Sequence, residues 1–335
     1  MKSTISVSDL MNRLASLNLS SEEYIKSQNG QALESQKYSK TFWDIARGMM
    51  PKNALKEGSD GSGGFLVPDE FEQTLVQALE NENILRRLGN VIQTKHNLKI
   101  PTVVSHGAAA WVQENEQIND SDDTFGQIVL SAYKLGTRMI LSEELLEDSG
   151  FDLETYIIQE FARRIGKKEE ESFMSGDGIG KPTGLLLDAP VGAVSVEAGT
   201  LCMDDVIELY HSIGQRYRMN ATWLMSGDAY RTLRKCRTAM GKNIWESSAI
   251  KDAPFMLLGR PVEISDAMPE IAAGMKPVLF GDFSYYWIGD RGKRSLKRLN
   301  ELFADKGQVG FQATQRVDAK LVLPKAIKAL EIKVA

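Results

Sequence analysis

The stretch from Gly176 to Gly184, GDGIGKPTG, has residue types that could bind phosphate. Glycines allow backbone N–H groups to approach an anion closely, and the side chain of Lys181 could neutralise its charge. If the stretch works in this way, the protein is a nucleotide-binding enzyme, and its glycines and lysine should have the spacing of a known phosphate loop.

The spacing does not fit either phosphate-binding motif. A P-loop needs a glycine six positions before its lysine and a serine or threonine after it, but these positions hold Ser175 and Pro182. In the dinucleotide motif GxGxxG the third glycine would fall at Lys181. The stretch instead predicts a corner that ends a helix, with Gly176 and Gly178 in left-handed conformations and proline preventing the helix from resuming.

Other residue types that carry chemistry are few. The histidines have no neighbouring ligands at metal spacing, and the cysteines have no CxxC partner, so we predict no metal site and interpret both cysteines as small buried hydrophobes. These residues are His96, His106, His211, Cys202 and Cys236.

The chain has no GxSxG or HExxH motif, but it has a cluster of four acidic residues after Ser142. Glu143, Glu144, Glu147 and Asp148 follow Ser142, which favours a capped helix whose first turn is acidic. The sequence therefore predicts no catalytic residues, no cofactor and no enzyme.

Charge is spread unevenly along the 335 residues. Residues 1–57 hold 8 Lys and Arg against 6 Asp and Glu, which leaves 32 against 39 in the remainder. A net negative body does not favour strong nucleic-acid binding. No apolar run approaches the roughly 20 residues that span a bilayer, and the first residues lack the apolar core of a secretion signal, so we expect a cytoplasmic protein without a membrane segment.

The elements that position these residues indicate an α+β protein. A joint rich in glycine at 58–64 precedes a helix that starts at Asp69 and stops at Gly89. Strands alternate with turns from 97 to 141, including the acidic turn at 119–123, and this hairpin system lacks enough apolar residues to be compact by itself. It must therefore pack against something else.

A long helix is predicted to run from its cap Asp152 to Ser175, with apolar residues on one face. The section at 200–280 alternates helices and strands. Its first helical stripe extends from Met203 to Tyr217, and Ser226 caps a later helix. The tail indicates a β meander.

Residues 61–332 contain a series of short motifs in a fixed order: GGFLVPDEF, WVQENEQI, SAYKLGTRMILSEELLEDS, FMSGDGIGKPTGLL, NATWLM, GRPVEISDAMP, FGDFSYYWIGDR and RVDAKLVLPKA. The order of these motifs resembles the major capsid proteins of tailed phages, which have the Hong Kong 97 type fold. The resemblance implies an N-terminal extension at 1–57, an N-arm at 58–94, an extended hairpin called the E-loop at 95–140, a peripheral (P) domain with a spine helix at 141–199, an axial (A) domain at 200–280 and a P-domain return at 281–335.

The resemblance also implies a function. The chain would assemble with itself through hexamers and pentamers into an icosahedral shell that encloses double-stranded DNA without reading its sequence. It would work with a portal, a scaffold or a maturation protease, assemble in the host cytoplasm and end in the virion. An alternative is an encapsulin-like nanocompartment that encloses a protein cargo, and a less favoured alternative is a nucleotide-binding enzyme.

Two further expectations come from the same resemblance. The segment 1–57 matches in position an extension that a protease removes, which implies cleavage near 57–59. Some relatives form a lysine to asparagine cross-link assisted by a glutamate. Gly307 and Thr314 align with those asparagine and glutamate positions, so we expect no covalent cross-link.

Overall fold

The structure is a computed structural model, and it describes residues 40–41, 43–44, 65–66, 69–105, 124–147, 152–236, 256–299 and 302–334. The predicted joint at 58–64, the acidic turn at 119–123 and the cleavage region at 57–59 lie outside these residues. Among the described helices, none is both long and apolar enough to cross a membrane.

Helices and strands alternate along much of the described chain, as expected for an α+β protein. The helices are α1 (Asp69–Glu82), α2 (Ile84–Leu88), α3 (Glu143–Glu147), α4 (Leu153–Ser175), α5 (Leu185–Asp188), α6 (Met203–Ser212), α7 (Gln215–Arg218) and α8 (Gly227–Lys235). The strands are β1 (Phe65–Leu66), β2 (Asn90–Thr94), β3 (Leu98–Ser105), β4 (Thr124–Leu130), β5 (Tyr133–Ser142), β6 (Val191–Val194), β7 (Thr222–Met225), β8 (Met256–Leu257), β9 (Arg260–Ile264), β10 (Val278–Gly281), β11 (Tyr286–Arg291), β12 (Ser295–Leu299), β13 (Gln308–Leu321) and β14 (Ile327–Glu331).

The chain divides into two compact units. The first consists of Met1–Val76, Arg138–Ile158 and Arg294–Ala313, and the second of Gln77–Thr137, Gln159–Lys293 and Thr314–Ala335. In the first unit β1 pairs antiparallel with β12.

The second unit is organised around a six-stranded sheet in the order β6-β14-β10-β7-β9-β8. β10 runs antiparallel to both of its neighbours, and β7 and β9 are parallel. Alternation along β7 sends Trp223 and Met225 into a core with α6 and α8, and Leu224 into a separate core with Leu85 and Phe173. The sheet therefore has a buried core on each face, which explains why all four residues of β7 are buried.

The predicted long helix is confirmed as α4. Asp152 accepts a hydrogen bond from the backbone N–H of Thr155 at 3.2 Å, and the buried face includes Ile157, Phe161 and Ile165. The cap at Ser226 is also confirmed, because its side chain accepts from the N–H of Ala229. Both predictions depended on local signals that tertiary contacts did not override.

Three predictions of the element pattern are wrong. The helix that starts at Asp69 does not run unbroken to Gly89, because α1 ends at Glu82 and the side chain of Asn83 caps the separate helix α2. The stripe from Met203 to Tyr217 is not one helix, because α6 ends before Ile213 and α7 begins after Gly214. Ile207, which belongs to this predicted apolar stripe, is 37% exposed. The tail is not a meander either, because β11 pairs with β13 and β14 inserts between β6 and β10 in the six-stranded sheet.

Candidate functional site

The stretch GDGIGKPTG forms a closed turn immediately after α4. Its ends are joined by a β-bridge between Asp177 and Thr183, and the N–H of Gly184 donates to the carbonyl of Gly176 at 2.9 Å. Gly178 has a φ of 77°, and the turn leads directly into α5. The predicted corner is confirmed, and its backbone groups bond to one another.

The role predicted for one glycine of this corner is wrong. Gly176 is not left-handed; the second left-handed residue is Gly180, with a φ of 69°. Gly176 is required for another reason. A Cβ atom on it would stand 2.1 Å from the carbonyl oxygen of Pro182 and 2.5 Å from that of Ser172, so only glycine allows the two backbone segments to approach.

Lys181 makes a local contact in the turn. Its Nζ lies 3.4 Å from Oδ2 of Asp177, whose Oδ1 accepts from the N–H of Ile179 at 3.0 Å. The N–H of Ile179 and the charge of Lys181 lower the pKa of the Asp177 carboxyl. The lysine therefore lies against a carboxylate of its own turn, and Tyr133 donates from its hydroxyl to the carbonyl of Gly178.

The remaining candidate residues do not converge on one site. His96 and His211 are exposed, and His106 lies outside the described residues. Within the described ranges, no group of three His, Cys, Asp or Glu side chains is placed to hold a metal ion.

The interpretation of the cysteines as buried is wrong. Both are partly exposed, and Sγ of Cys202 lies 3.0 Å from Oδ2 of Asp205 at the start of α6. Partial burial and the hydrogen bond to this carboxylate raise the pKa of the Cys202 thiol, and partial burial also raises that of Cys236. Both groups are therefore held as thiols, which are poor nucleophiles.

The acidic group after β5 is the predicted capped helix. Ser142 Oγ accepts from the N–H of Leu145 at 3.3 Å, and Glu143 and Glu144 occupy the first turn of α3. Asp148 lies outside the described residues. Glu143 and Glu144 are exposed. Their negative charges lie at the N-terminus of α3, where they stabilise the helix through its dipole.

A buried charge network in the second unit was not found from the sequence. Nε of Arg86 donates to Oε2 of Glu169 at 2.7 Å and its Nη2 donates to Oε1 at 2.8 Å, while Nη1 and Nη2 donate to Asp290 at 3.0 and 2.8 Å. Gln315 donates from Nε2 to Glu169. No more than about one-twentieth of any of these residues is exposed.

The network joins four elements of the second unit. Arg86 lies on α2, Glu169 on α4, Asp290 on β11 and Gln315 on β13. Burial opposes the charge of Arg86, but the two carboxylates outweigh this effect and raise its pKa well above the ordinary value. Paired forks of this kind fix distance and orientation, so the network positions α4 against two strands.

The hairpin of β3 and β4 is fixed at its base. The N–H of Ser131, just after β4, donates to Oδ2 of Asp318 at 2.6 Å, and Arg291 donates to the side chain of Asn97 at 2.8 Å and to the carbonyl of Ser131 at 3.2 Å. Burial raises the pKa of Asp318. Leu130 is fully buried at this point.

The described part of the hairpin buries few side chains. β3 and β4 pair from Leu98 opposite Leu130 to Ser105 opposite Thr124, and they pair with no other described strand. Among its side chains described at 98–102 and 126–130, only Ile100 and Leu130 are buried. The hairpin thus presents two incompletely covered faces, which is the feature of the described chain most typical of an assembly surface.

The sequence matches known capsid proteins. Residues 63–332 match the model of the phage capsid family. The major capsid protein of Klebsiella oxytoca phage phiKO2 is 27% identical over 248 residues, which cover 69% of this chain and 57% of that protein. The major capsid protein of Escherichia phage T5 is 29% identical over 125 residues, or 35% of this chain and 27% of that protein. The chain thus spans little more than half of the first relative and about a quarter of the second.

Solved structures show the same fold. The capsid of a native GTA particle is 27% identical with a TM-score of 0.67, covering 84% of this chain and 94% of that one. A structure from Gordonia phage Cozz has 13% identity and a TM-score of 0.57, covering 76% and 87%, and this likeness bears on the fold alone. The α+β fold of the Hong Kong 97 type is therefore confirmed. Because the family match extends over most of the chain, this protein belongs to the phage capsid family.

Proposed function

We propose that the chain is a major capsid protein that assembles through hexamers and pentamers into an icosahedral shell enclosing double-stranded DNA, and that it is not an enzyme. The observation that carries the proposal is the incompletely buried hairpin of β3 and β4. A two-stranded hairpin is marginal by itself in water, so its faces need a covering surface from another chain.

Assembly would supply that cover. Obligate interfaces bury about 2,000 to 5,000 Å², and head-to-tail contacts between identical chains close into rings when the rotation between neighbours allows it. The hairpin base is rigidly bonded through Asp318 and Arg291, which would present the strands to a neighbouring chain in one orientation. Preorganisation of this kind favours a repeated, uniform contact.

The domain assignment follows the same proposal. We assign the extension to 1–57, the N-arm to 58–94, the E-loop to 95–140, the P domain with its spine helix to 141–199, the A domain to 200–280 and the P-domain return to 281–335. The E-loop assignment is supported by the hairpin and the spine-helix assignment by the 23-residue helix α4.

The charge distribution suits a container. Residues 58–335 hold 32 Lys and Arg against 39 Asp and Glu, so most of the chain would confine DNA without gripping it. A portal, a scaffold or a maturation protease would act as partners during assembly in the host cytoplasm, and the finished protein would reside in the virion.

Electron microscopy of the purified protein tests the proposal. Closed shells or rings of five or six subunits are expected, and nucleic acid rather than a protein cargo should be extracted from particles formed in infected or lysogenic cells. A stable monomer with catalytic activity would contradict the proposal, and a protein cargo would favour a nanocompartment. Lys181→Ala provides a further check, because a nucleotide-binding enzyme would lose nucleotide binding.

Two covalent properties can be read from the same particles. With Gly307 and Thr314 at the cross-linking positions, boiled particles should run as monomers on a denaturing gel. Mass spectrometry of particle-derived protein should show a new N-terminus near residues 57–59. A ladder of multimers would refute the first expectation, and an intact Met1 the second.

A further inference from the structure

One surface of the second unit combines exposed apolar side chains with arginines and serves none of the features described above. Met219, Met256 and Leu258 are 69%, 49% and 42% exposed. Nη1 of Arg260 donates to the carbonyl oxygen of Met219, which joins the start of β9 to the end of α7. We call this surface the arginine-rimmed patch; it consists of Arg216, Arg218, Met219, Met256, Leu258 and Arg260.

Leu258 occupies a backbone conformation that disfavours leucine. It forms the two-residue turn between β8 and β9 together with Gly259, and both have positive φ, 49° and 73°. Such turns favour asparagine, aspartate or glycine, and Leu258 is the one residue other than glycine with positive φ among the described residues. Its side chain nevertheless remains 42% exposed. A strained residue with an exposed side chain indicates a contact made outside the chain.

The arginines of the patch have no carboxylate partner among the described residues. Arg218 lies over the ring of Tyr210, with Cζ 5.3 Å from the ring centroid, and its Nη1 lies 3.4 Å from Nδ1 of His211. Its Nε is shielded from solvent and has no hydrogen-bond partner. Arg216 is exposed and makes no ion pair with any described residue. The patch therefore carries positive charge that is free to meet an acidic surface.

We propose that the arginine-rimmed patch binds a negatively charged surface of a second copy of this chain, an inference that rests on the proposed function because it names one contact of the shell. Charge complementarity supports the choice of partner, since residues 58–335 hold seven more acidic than basic residues. DNA phosphates would satisfy the arginines but would leave Met219 and Leu258 exposed. Methionine and arginine together are typical of protein interfaces.

Leu258→Asn separates an assembly role from a folding role. Asparagine tolerates positive φ, so the thermal unfolding midpoint of the unassembled variant should rise by about 2 °C. Loss of the leucine contact should raise the protein concentration at which particles form by roughly tenfold, measured by light scattering. A lower unfolding midpoint with an unchanged assembly threshold would show that Leu258 serves the fold and would overturn the inference.

Arg216→Glu tests the charge, with Lys333→Glu as a control that changes the net charge equally at another exposed site of the same unit. The Arg216 variant should need several-fold more protein to assemble, and added salt should narrow the difference, while the control assembles like the wild type. If all three proteins assembled at the same protein concentration, this inference would be overturned, but the proposed function would stand. An Arg216 variant that assembles normally but loses affinity for a short DNA duplex would have the same consequence. A wild type that never assembles would overturn the proposed function and this inference with it.

Discussion

The buried charge network and the hairpin of β3 and β4 differ in how far their side chains find partners and burial within one chain. In the network, Arg86 finds two carboxylate partners within its own unit at 2.7 to 3.0 Å. In the hairpin, backbone groups pair between the two strands, but most of the described side chains are not buried. The network is therefore complete in one chain, whereas we propose that the hairpin is covered by another chain.

This difference separates what one chain can stabilise from what needs an assembly. A buried ion pair costs several kcal/mol in desolvation for each charge, so it persists only where the partners are held in good geometry. A hairpin with uncovered faces gains little in the isolated chain. Substitutions in the buried charge network should therefore lower the free energy of unfolding, and substitutions in the hairpin should reduce particle formation.

The largest effect on unfolding is expected for Arg86→Met. The substitution leaves Glu169 and Asp290 buried without their cation, and breaking such a pair costs about 3 to 5 kcal/mol. Urea unfolding of the unassembled chain should show this loss. Lys168→Met is the control, because Lys168 forms an exposed pair with Glu171 worth about 1 kcal/mol or less. Similar losses in the two variants would show that the buried network stabilises the chain no more than an exposed ion pair does.

The sequence was sufficient to predict α4 and its cap at Asp152, because both depend on residues within a few positions of one another. The network could not be found in this way, since Arg86 lies 83 residues from Glu169 and 204 from Asp290. The corner at 176–184 was predicted correctly as a corner, but the need for Gly176 depends on a carbonyl six positions later. Strand order in the tail likewise depends on distant pairing.

The corner provides the next largest effect and lies, like the network, within the second unit. Gly176→Ala would place a Cβ against the carbonyl oxygens of Pro182 and Ser172, and overpacking of this kind costs about 2 to 3 kcal/mol. Gly180→Ala should cost only about 1 kcal/mol, because nothing lies within 4 Å and only the positive φ is strained. Thermal or urea unfolding measures both, and the reverse order would contradict the geometry.

Val129→Asp tests the hairpin side of the comparison. Residue 129 lies opposite Lys99, so an aspartate gains a cross-strand partner and the free energy of unfolding should change by about 0.5 kcal/mol or less. If another chain covers this face, as we propose, a charge there should nevertheless prevent or strongly reduce particle formation. Val129→Thr, which keeps the shape, should assemble nearly normally. A loss of stability as large as that of Arg86→Met would show that the hairpin is already buried within one chain.

The smallest effect concerns Glu170, which stands next to the network residue Glu169 on α4 but is only partly buried. Its Oε1 accepts from the hydroxyl of Ser265 at 2.5 Å. Burial raises the pKa of its carboxyl, and the charge of Asp266 adds to this, while hydrogen bonds from Ser265 and the N–H of Ile84 and the charge of Arg87 act against it. The raised pKa means that the folded chain binds this proton more tightly than the unfolded chain.

The stabilising effect of that proton is complete below the ordinary pKa of glutamate and is lost as the pH rises through the raised folded value. Glu170→Gln removes the titration, so the free energy of unfolding should fall less steeply across this pH window than in the wild type. Glu171→Gln, one residue further along the helix and paired with the exposed Lys168, keeps Glu170 and should follow the wild-type pH profile. If the Glu170 variant kept the wild-type pH dependence of the free energy of unfolding, the Glu170 carboxylate would be as well solvated in the folded chain as in the unfolded one. Glu169 would then belong to the buried interior, and its neighbour Glu170 would not.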